Sequence, residues 1–216
     1  MATDTSGITC CFDEESERML EDYRRRGLGS TSKTILAALR ERGLAGSSTL
    51  ELGCGVGALT LEFLKAGASK AKGVDLSSAM VRTARSLVQD AGHSGSAQFV
   101  HGDGALLSLE RSDFVVLDTV LCCYPDVQGL IENSSAAASR FYAISIPDDR
   151  RILTRVLKVF LPLQKIFLRR RGFRFYVHPV EKVLSLLSQK GFAPVFESRA
   201  GRVWCVFVFN PPQSAP

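Results

Sequence analysis

The chain has 216 residues, 45% of them hydrophobic and 23% charged, with a formal net charge of +5. This excludes a disordered or fibrous polymer and fits one domain with at most a small cap, long enough to bury a full core. The charge is uneven: Arg150 to Arg174 holds nine Lys or Arg and no acid, so the remainder is net acidic. A single basic segment in an acidic chain points to one face, lid or docking surface, and nucleic acid is not the expected partner.

Six cysteines fall at 10, 11, 54, 122, 123 and 205, as two adjacent pairs and two singles. This is not a secreted disulfide framework, so reduced thiols in a cytoplasmic setting are expected. Met1 to Ser6 has no basic n-region and no apolar h-region follows, so no secretory signal is read. The apolar stretch 151–168 is interrupted by Arg155, Lys158 and Lys165, which argues against a membrane span.

In chain order, residues 1–12 read as poorly ordered at their start. Residues 13–26 read as a charged helix, acidic early and basic late, as the helix dipole favours. Gly29-Ser30-Thr31 offers an N-cap to a second helix over 31–43, with Ile35, Leu36, Leu39 and Leu44 near helical spacing. The first strand, about 48–52, runs into Gly53-Cys54-Gly55-Val56-Gly57, where glycines let the backbone turn tightly and approach a ligand. The spacing is GxGxG. A nicotinamide fingerprint would need a glycine where Ala58 stands. Glu51, two residues ahead of Gly53, argues against a phosphate ligand and for a cationic or amine-bearing one.

A helix from Leu59 to Leu64 leads to a second strand, Ala71 to Asp75, which ends in a carboxylate. Asp75 lies 22 residues beyond Gly53, about the offset at which a strand-end acid accepts hydrogen bonds from ribose hydroxyls. The alternative is a helix-cap acid before Ser77-Ser78. A helix from Ser78 to about Ala91 and a third strand, Ala97 to His101, follow. Asp113 to Asp118 reads as a central parallel strand, and its exit, Thr119 to Asp126, should line the ligand crevice. Arg140 to Ile146 gives a fifth strand. Residues 151–171 are both apolar and cationic, with Pro162 set to kink a helix. That segment reads as a lid, or as a foot docking peripherally on an anionic membrane. A helix over 181–190 ends at Gly191, and 192–198 pairs with 202–210 as a hairpin across Arg199-Ala200-Gly201.

Glu51-Leu52-Gly53-Cys54-Gly55-Val56-Gly57 resembles the first motif of the class I methyltransferases, whose loop wraps the amino-acid end of S-adenosyl-L-methionine. The resemblance covers about residues 45–147. It implies a Rossmann-like doubly wound α/β sheet, mostly parallel with a C-terminal antiparallel hairpin, and an N-terminal helical pair over the cofactor. It implies cofactor contacts from Glu51, Gly53, Gly55, Gly57, Asp75, Leu76, Asp103, Gly104 and Asp118. Asp103 falls where a strand-end acid often meets the adenine amino group, although Asp between two glycines is also ordinary turn chemistry. The Pro-Pro tetrad of DNA and RNA amino-methyltransferases is not at the fourth-strand exit; Asn210-Pro211-Pro212-Gln213 lies after the last strand without an aromatic.

The exit more closely resembles the magnesium-protoporphyrin O-methyltransferase group, where the stretch reads Ile-His-Tyr-Pro. Tyr124-Pro125 match, while the group's histidine falls on Cys123. Arg174-x-Tyr176-x-His178 matches a second run of that group, and Tyr23 falls near the catalytic tyrosine of its N-terminal helix. The resemblance thus puts Tyr23, Cys123 and His178 forward as catalytic residues. His101 is a weaker acid/base candidate.

The reading is a single domain over 1–216: a helical cover (1–44), a cofactor-binding core (45–147), a basic insertion (148–178), and a helix and hairpin (179–210). The expected activity is S-adenosyl-L-methionine-dependent methyl transfer to a small or amphipathic acceptor, with oxygen as the favoured atom. Alternatives are a thiol or metalloid acceptor if Cys10-Cys11 approach Cys122-Cys123, an RNA or protein acceptor, or a cofactor-binding module without turnover. Adjacent cysteines are poor chelate spacing, so no metal is expected.

Overall fold

A computed structural model describes residues 6–155 and 175–212. The elements in chain order are α1 (Ser6–Arg26), α2 (Ser30–Arg40), β1 (Ser48–Leu52), α3 (Ala58–Lys65), β2 (Lys70–Asp75), α4 (Ser78–Asp90), β3 (Ala97–His101), β4 (Ser112–Leu117), α5 (Val127–Ala136), β5 (Ala138–Pro147), α6 (Val180–Gln189), β6 (Ala193–Ala200) and β7 (Trp204–Asn210). The strands form one seven-stranded sheet in the order β3-β2-β1-β4-β5-β7-β6. β1 to β5 pair in parallel, and β7 runs antiparallel to both β5 and β6. This is the Rossmann-like sheet with a C-terminal antiparallel hairpin that the motif order implies. Successive strands step outward from β1 to β3, then the chain crosses back to place β4 on the other side of β1. The strand ends therefore diverge between β1 and β4, which is where open α/β sheets leave a crevice.

Strand alternation distributes the core over two faces. Leu50, Leu52, Val115, Leu117, Tyr142 and Ile144 point to one side, where Leu130 and Ile131 of α5 and Val183 and Leu187 of α6 cover them. Phe114, Val116, Ala143, Val206 and Val208 point to the other, against Ile35 and Leu39 of α2 and Leu59 and Phe63 of α3. Both faces of β4 are dry, which is why its sequence is continuously apolar rather than alternating.

Several boundaries differ from the sequence expectation. The first helix begins at Ser6 rather than near residue 13. Further along α1, the Asp13 carboxylate accepts from the Ser77 hydroxyl and from the Ala79 N–H, tying the helix to the start of α4. The second helix stops at Arg40, and Glu41–Gly43 form a turn in which Gly43 takes a φ of 78°. The helix α5 carries Gly129, Asn133, Ser134 and Ser135, so its apolar period is weak; Asp126 caps it through a bond from Gly129 N. Ile152 to Arg155 form a helical turn, and the rest of the basic segment read as a lid or membrane foot lies outside the described residues. Among the described residues no helix is long and apolar enough to cross a membrane.

Candidate functional site

Three glycines follow β1, and each is required for a different reason. Gly53 has φ 66°, and a Cβ there would stand 2.4 Å from Val120 Cγ2. Gly57 has φ 75°, and its Cβ would meet Ala84 Cβ of α4 at 2.8 Å. Gly55, at φ 53°, is less confined: an added Cβ would touch Met19 Cε at 3.6 Å without a clash. The first two let the loop lie flat against its neighbours, and the third leaves backbone bare toward the crevice. The N–H groups of Gly53 and Cys54 both donate to Val74 O, at 2.7 and 3.1 Å, tying the loop to the end of β2.

Asp75 closes the same corner. One carboxylate oxygen accepts from Gly55 N and the other from Ser77 N, each at 2.8 Å. The helix cap is Ser77, whose hydroxyl accepts from Met80 N at 3.0 Å, so Asp75 is not spent on capping α4. Burial pushes its pKa above the ordinary carboxylate value, and the two backbone N–H groups act against that shift. A carboxylate offers about four lone-pair directions. Two remain toward the crevice, enough for a pair of hydroxyls.

The crevice lies at the C-terminal ends of β1, β2, β3 and β4. Its polar wall carries Asp75, Asp103 and Asp118, and Leu76 and Gly104 lie between them on the lining. Asp103 accepts from Tyr124 OH through both oxygens, at 2.8 and 3.0 Å, and from Ala105 N at 2.9 Å. Asp118 accepts from Ser145 Oγ of β5 at 2.6 Å and from Ser32 Oγ of α2. Ser145 Oγ in turn accepts from Thr119 N at 2.7 Å, and Thr119 sits at φ 59° on the crevice wall. Phe12 and Met19 of α1, one stripe of that helix, close the crevice from above, and Val120, Cys123 and Leu130 complete it. Thus α1 covers the crevice, whereas α2 packs on the β6–β7 side and reaches it only through Ser32.

Gly53, Gly55, Asp75, Leu76, Asp103, Gly104, Asp118 and Cys123 are brought together here. Five other sequence candidates are not. Glu51 alternates onto the opposite face of β1, is 4% exposed, and accepts from Thr60 Oγ1 of α3. Burial first, then the charges of Asp118 and Asp75, push its pKa up to about 8 against the Thr60 hydrogen bond. Glu51 is thus a protonated support beneath the loop rather than an anion beside a ligand. Gly57 packs on α4. Tyr23 donates to Glu62 Oε1 of α3 at 2.7 Å and does not line the crevice. His178 Nε2 is 3.0 Å from Tyr124 O, and its ring stacks on Tyr176; it buttresses the wall from outside the cavity. His101 pairs with Leu76 O at 3.0 Å. Among the described residues no group of three or more His, Cys, Asp or Glu could hold a metal ion.

Sequence reasoning did not single out Phe12, Met19, Ser32, Thr119, Val120 or Ser145. Thr119 and Val120 lie inside the strand exit that was expected to line the site. The others arrive from distant elements, and no local pattern marks them.

A family profile described as a methyltransferase domain matches residues 49–144, the span from β1 into β5 that builds this crevice. No curated protein sequence matches the chain. Among solved structures, magnesium protoporphyrin IX methyltransferase from Synechocystis PCC 6803 with bound SAH is 23% identical, covering 94% of this chain and 99% of its own, with a TM-score of 0.75. A Haloferax volcanii methyltransferase, solved in complex with its activator, is 14% identical at a TM-score of 0.75, covering 95% of this chain and 97% of its own.

The chain carries a class I methyltransferase domain, an enzyme fold that works with S-adenosyl-L-methionine. Within that class it resembles the magnesium-protoporphyrin methyltransferase group in overall fold.

Proposed function

We propose that the chain transfers a methyl group to an oxygen of a small or amphipathic acceptor. The observation that carries this reading is the meeting of three strand-end carboxylates, Asp75, Asp103 and Asp118, around one crevice floored by Gly53 and Gly55. The residues present fit the cofactor: the bare backbone at Gly55 leaves room beside Met19, and Asp75 keeps acceptor capacity for two hydroxyls. In this assignment Asp75 holds the ribose, Asp103 and Gly104 the adenine edge, and Leu76 packs on the base. Gly53, Gly55 and Asp118 surround the amino-acid end, with Glu51 and Gly57 acting beneath the loop.

Bound there, S-adenosyl-L-methionine supplies an electrophilic methyl group on a sulfonium centre. The protein orients the nucleophile in line with it and strips both of water. Phe12, Met19, Val120 and Leu130 do the second of these tasks. Cys123 stands where the resembled group has a histidine, and His178 backs the wall from outside. No imidazole lines the crevice among the described residues, so the reading favours an acceptor oxygen already ionised at neutral pH, such as a carboxylate. Cys123 then contacts the acceptor, while Tyr23 and His178 act through what they position. The Synechocystis enzyme's named substrate, magnesium protoporphyrin IX, is in keeping with this class. The same fold is also shared with a protein described as a [4+2]-cyclase, at a TM-score of 0.67, so the fold does not choose the acceptor.

The test is transfer of isotopically labelled methyl from the cofactor to a panel of amphipathic carboxylates, alcohols and thiols. Label in a base-labile ester is the expected result. Label on thiols alone would move the acceptor to sulfur. Binding of S-adenosyl-L-homocysteine (SAH) without any labelled product would make the chain a cofactor-binding module.

A further inference from the structure

The turn after β4 holds two thiols that the methyl-transfer chemistry leaves unexplained. Cys122 Sγ and Cys123 Sγ lie 3.5 Å apart. Both reach the Thr119 carbonyl oxygen, at 3.1 and 3.6 Å. Cys123 lines the crevice, and Cys122 is buried behind it at 3% exposure. Cys123 N donates to Val120 O at 2.9 Å, so the pair sits on a closed backbone turn, and Tyr176 N donates to Cys122 O at 2.6 Å. Thr119 at the head of this turn is the only non-glycine residue at positive φ among those described, a conformation that costs a β-branched residue energy. With no third ligand nearby among the described residues, a metal site of the usual four donors is not what the pair provides.

We propose that Cys122 and Cys123 form a redox-modifiable site, closed to a vicinal disulfide by a peroxide, and that closure deforms the crevice wall and weakens cofactor binding. Cys123, the accessible sulfur, attacks one peroxide oxygen as the thiolate; the O–O bond breaks, hydroxide leaves and Cys123 becomes a sulfenic acid. The Cys122 sulfur then attacks the Cys123 sulfur; the S–S bond forms, the S–O bond breaks, and water departs with the Cys122 proton. The two sulfurs lose two electrons, and the peroxide gains them. The hydrogen bond with Cys123, with burial second, pushes the Cys122 thiol up, which leaves the accessible Cys123 as the sulfur that initiates.

Consecutive Cα atoms are about 3.8 Å apart across a trans peptide, whereas relaxed disulfides span about 4.4–6.8 Å. Ring closure therefore strains the turn. The same turn carries Thr119, Val120 and Tyr124 onto the crevice wall, and Tyr124 holds Asp103. A strained bond is also readily reduced, so the modification is reversible.

The cofactor half of this inference rests on the crevice being the cofactor site. The purified full chain is reduced, exposed to hydrogen peroxide, digested without reductant and mapped by mass spectrometry. SAH binding is measured by calorimetry before oxidation, after it, and after dithiothreitol. The expected result is a peptide spanning residues 122 and 123 lighter by two hydrogens, with SAH affinity at least about tenfold lower and restored by dithiothreitol. Cys123→Ser removes both the lightened peptide and the reversible loss. Cys122→Ser is expected to do the same, and the less buried Cys123 position serves as the control if the buried substitution impairs folding. Thiols that both remain alkylatable after peroxide, a cross-link that falls on another cysteine, or a vicinal disulfide that leaves SAH affinity unchanged would each overturn the proposal. Absence of SAH binding by the reduced protein would overturn the cofactor reading instead, and the mass map would still decide the disulfide.

Discussion

Asp75 performs two tasks with one carboxylate: it fixes the glycine loop through Gly55 N and Ser77 N and turns its remaining lone pairs to the crevice. The tasks separate by substitution. Asp75→Asn keeps one acceptor oxygen but loses the charge, and Asp75→Ala loses both. Calorimetry with SAH is expected to show at least about a tenfold loss, some 1.4 kcal/mol, for Asp75→Ala and a smaller loss for Asp75→Asn. Equal binding by wild type and Asp75→Ala would remove Asp75 from the cofactor site. Glu51 offers a different test, through pH. Its pKa is about 8 in the folded chain and near the ordinary glutamate value when unfolded. Between those values the folded state keeps a proton that the unfolded state has released. Its contribution to stability is therefore full below the ordinary glutamate value and is lost progressively as pH rises to about 8. Glu51→Gln, which cannot ionise, is expected to flatten the fall in denaturation midpoint between about pH 5 and 8, by up to about 1.4 kcal/mol per pH unit. Parallel pH profiles for the two proteins would show that the carboxyl is ionised in the folded state.

At the scale of the element, the loop between β1 and α3 shows that neighbouring glycines in one motif are not equivalent. Gly57→Ala places a Cβ 2.8 Å from Ala84 Cβ and 3.1 Å from Phe99 Cζ at a left-handed φ. Overpacking and the backbone penalty together are expected to cost about 2–4 kcal/mol in urea denaturation. Gly55→Ala, at φ 53°, carries the left-handed backbone penalty of about 1 kcal/mol but meets no such clash, its Cβ lying against Met19 of the crevice lining. It is expected to retain most of the stability and to lose SAH affinity. A result in which both variants lose stability alike would mean that the loop is rigid throughout. The helix α4 depends on Ser77, which caps Met80 N and also donates to Asp13 of α1. Ser77→Ala is expected to cost about 1 kcal/mol or somewhat more, and to loosen the start of α1, read as faster amide exchange there.

For the whole molecule, the crevice is assembled from the ends of β1, β2, β3 and β4 and from α1 and α5, so a ligand that fills it joins parts far apart in the chain. SAH at one hundred times its dissociation constant is expected to stabilise the fold by about 2.7 kcal/mol, seen as a higher thermal midpoint. Because Phe12 and Met19 close the cavity, amide protection on α1 should rise with it. A rise in midpoint with no change on α1 would place that helix outside the ligand's reach.

What could be read from the sequence were features whose physical cause is local. Glycines at 53, 55 and 57 mark backbone conformations that side chains resist, and Asp75 stands at a strand end because a parallel strand must finish near the crevice. Continuous apolar residues in β4 report burial on both faces. The order of these features was enough to infer the sheet, the crevice and the cofactor class. Which acids face the crevice was decided by tertiary structure: strand alternation sends Glu51 beneath α3, while Asp103 is held by a tyrosine 21 residues away. Ser145 reaches Asp118 through the β4–β5 register, Ser32 through the docking of α2, and Met19 through the packing of α1. Residues joined only by register and packing leave no spacing in the chain to read, because the contact depends on two elements meeting rather than on either one alone.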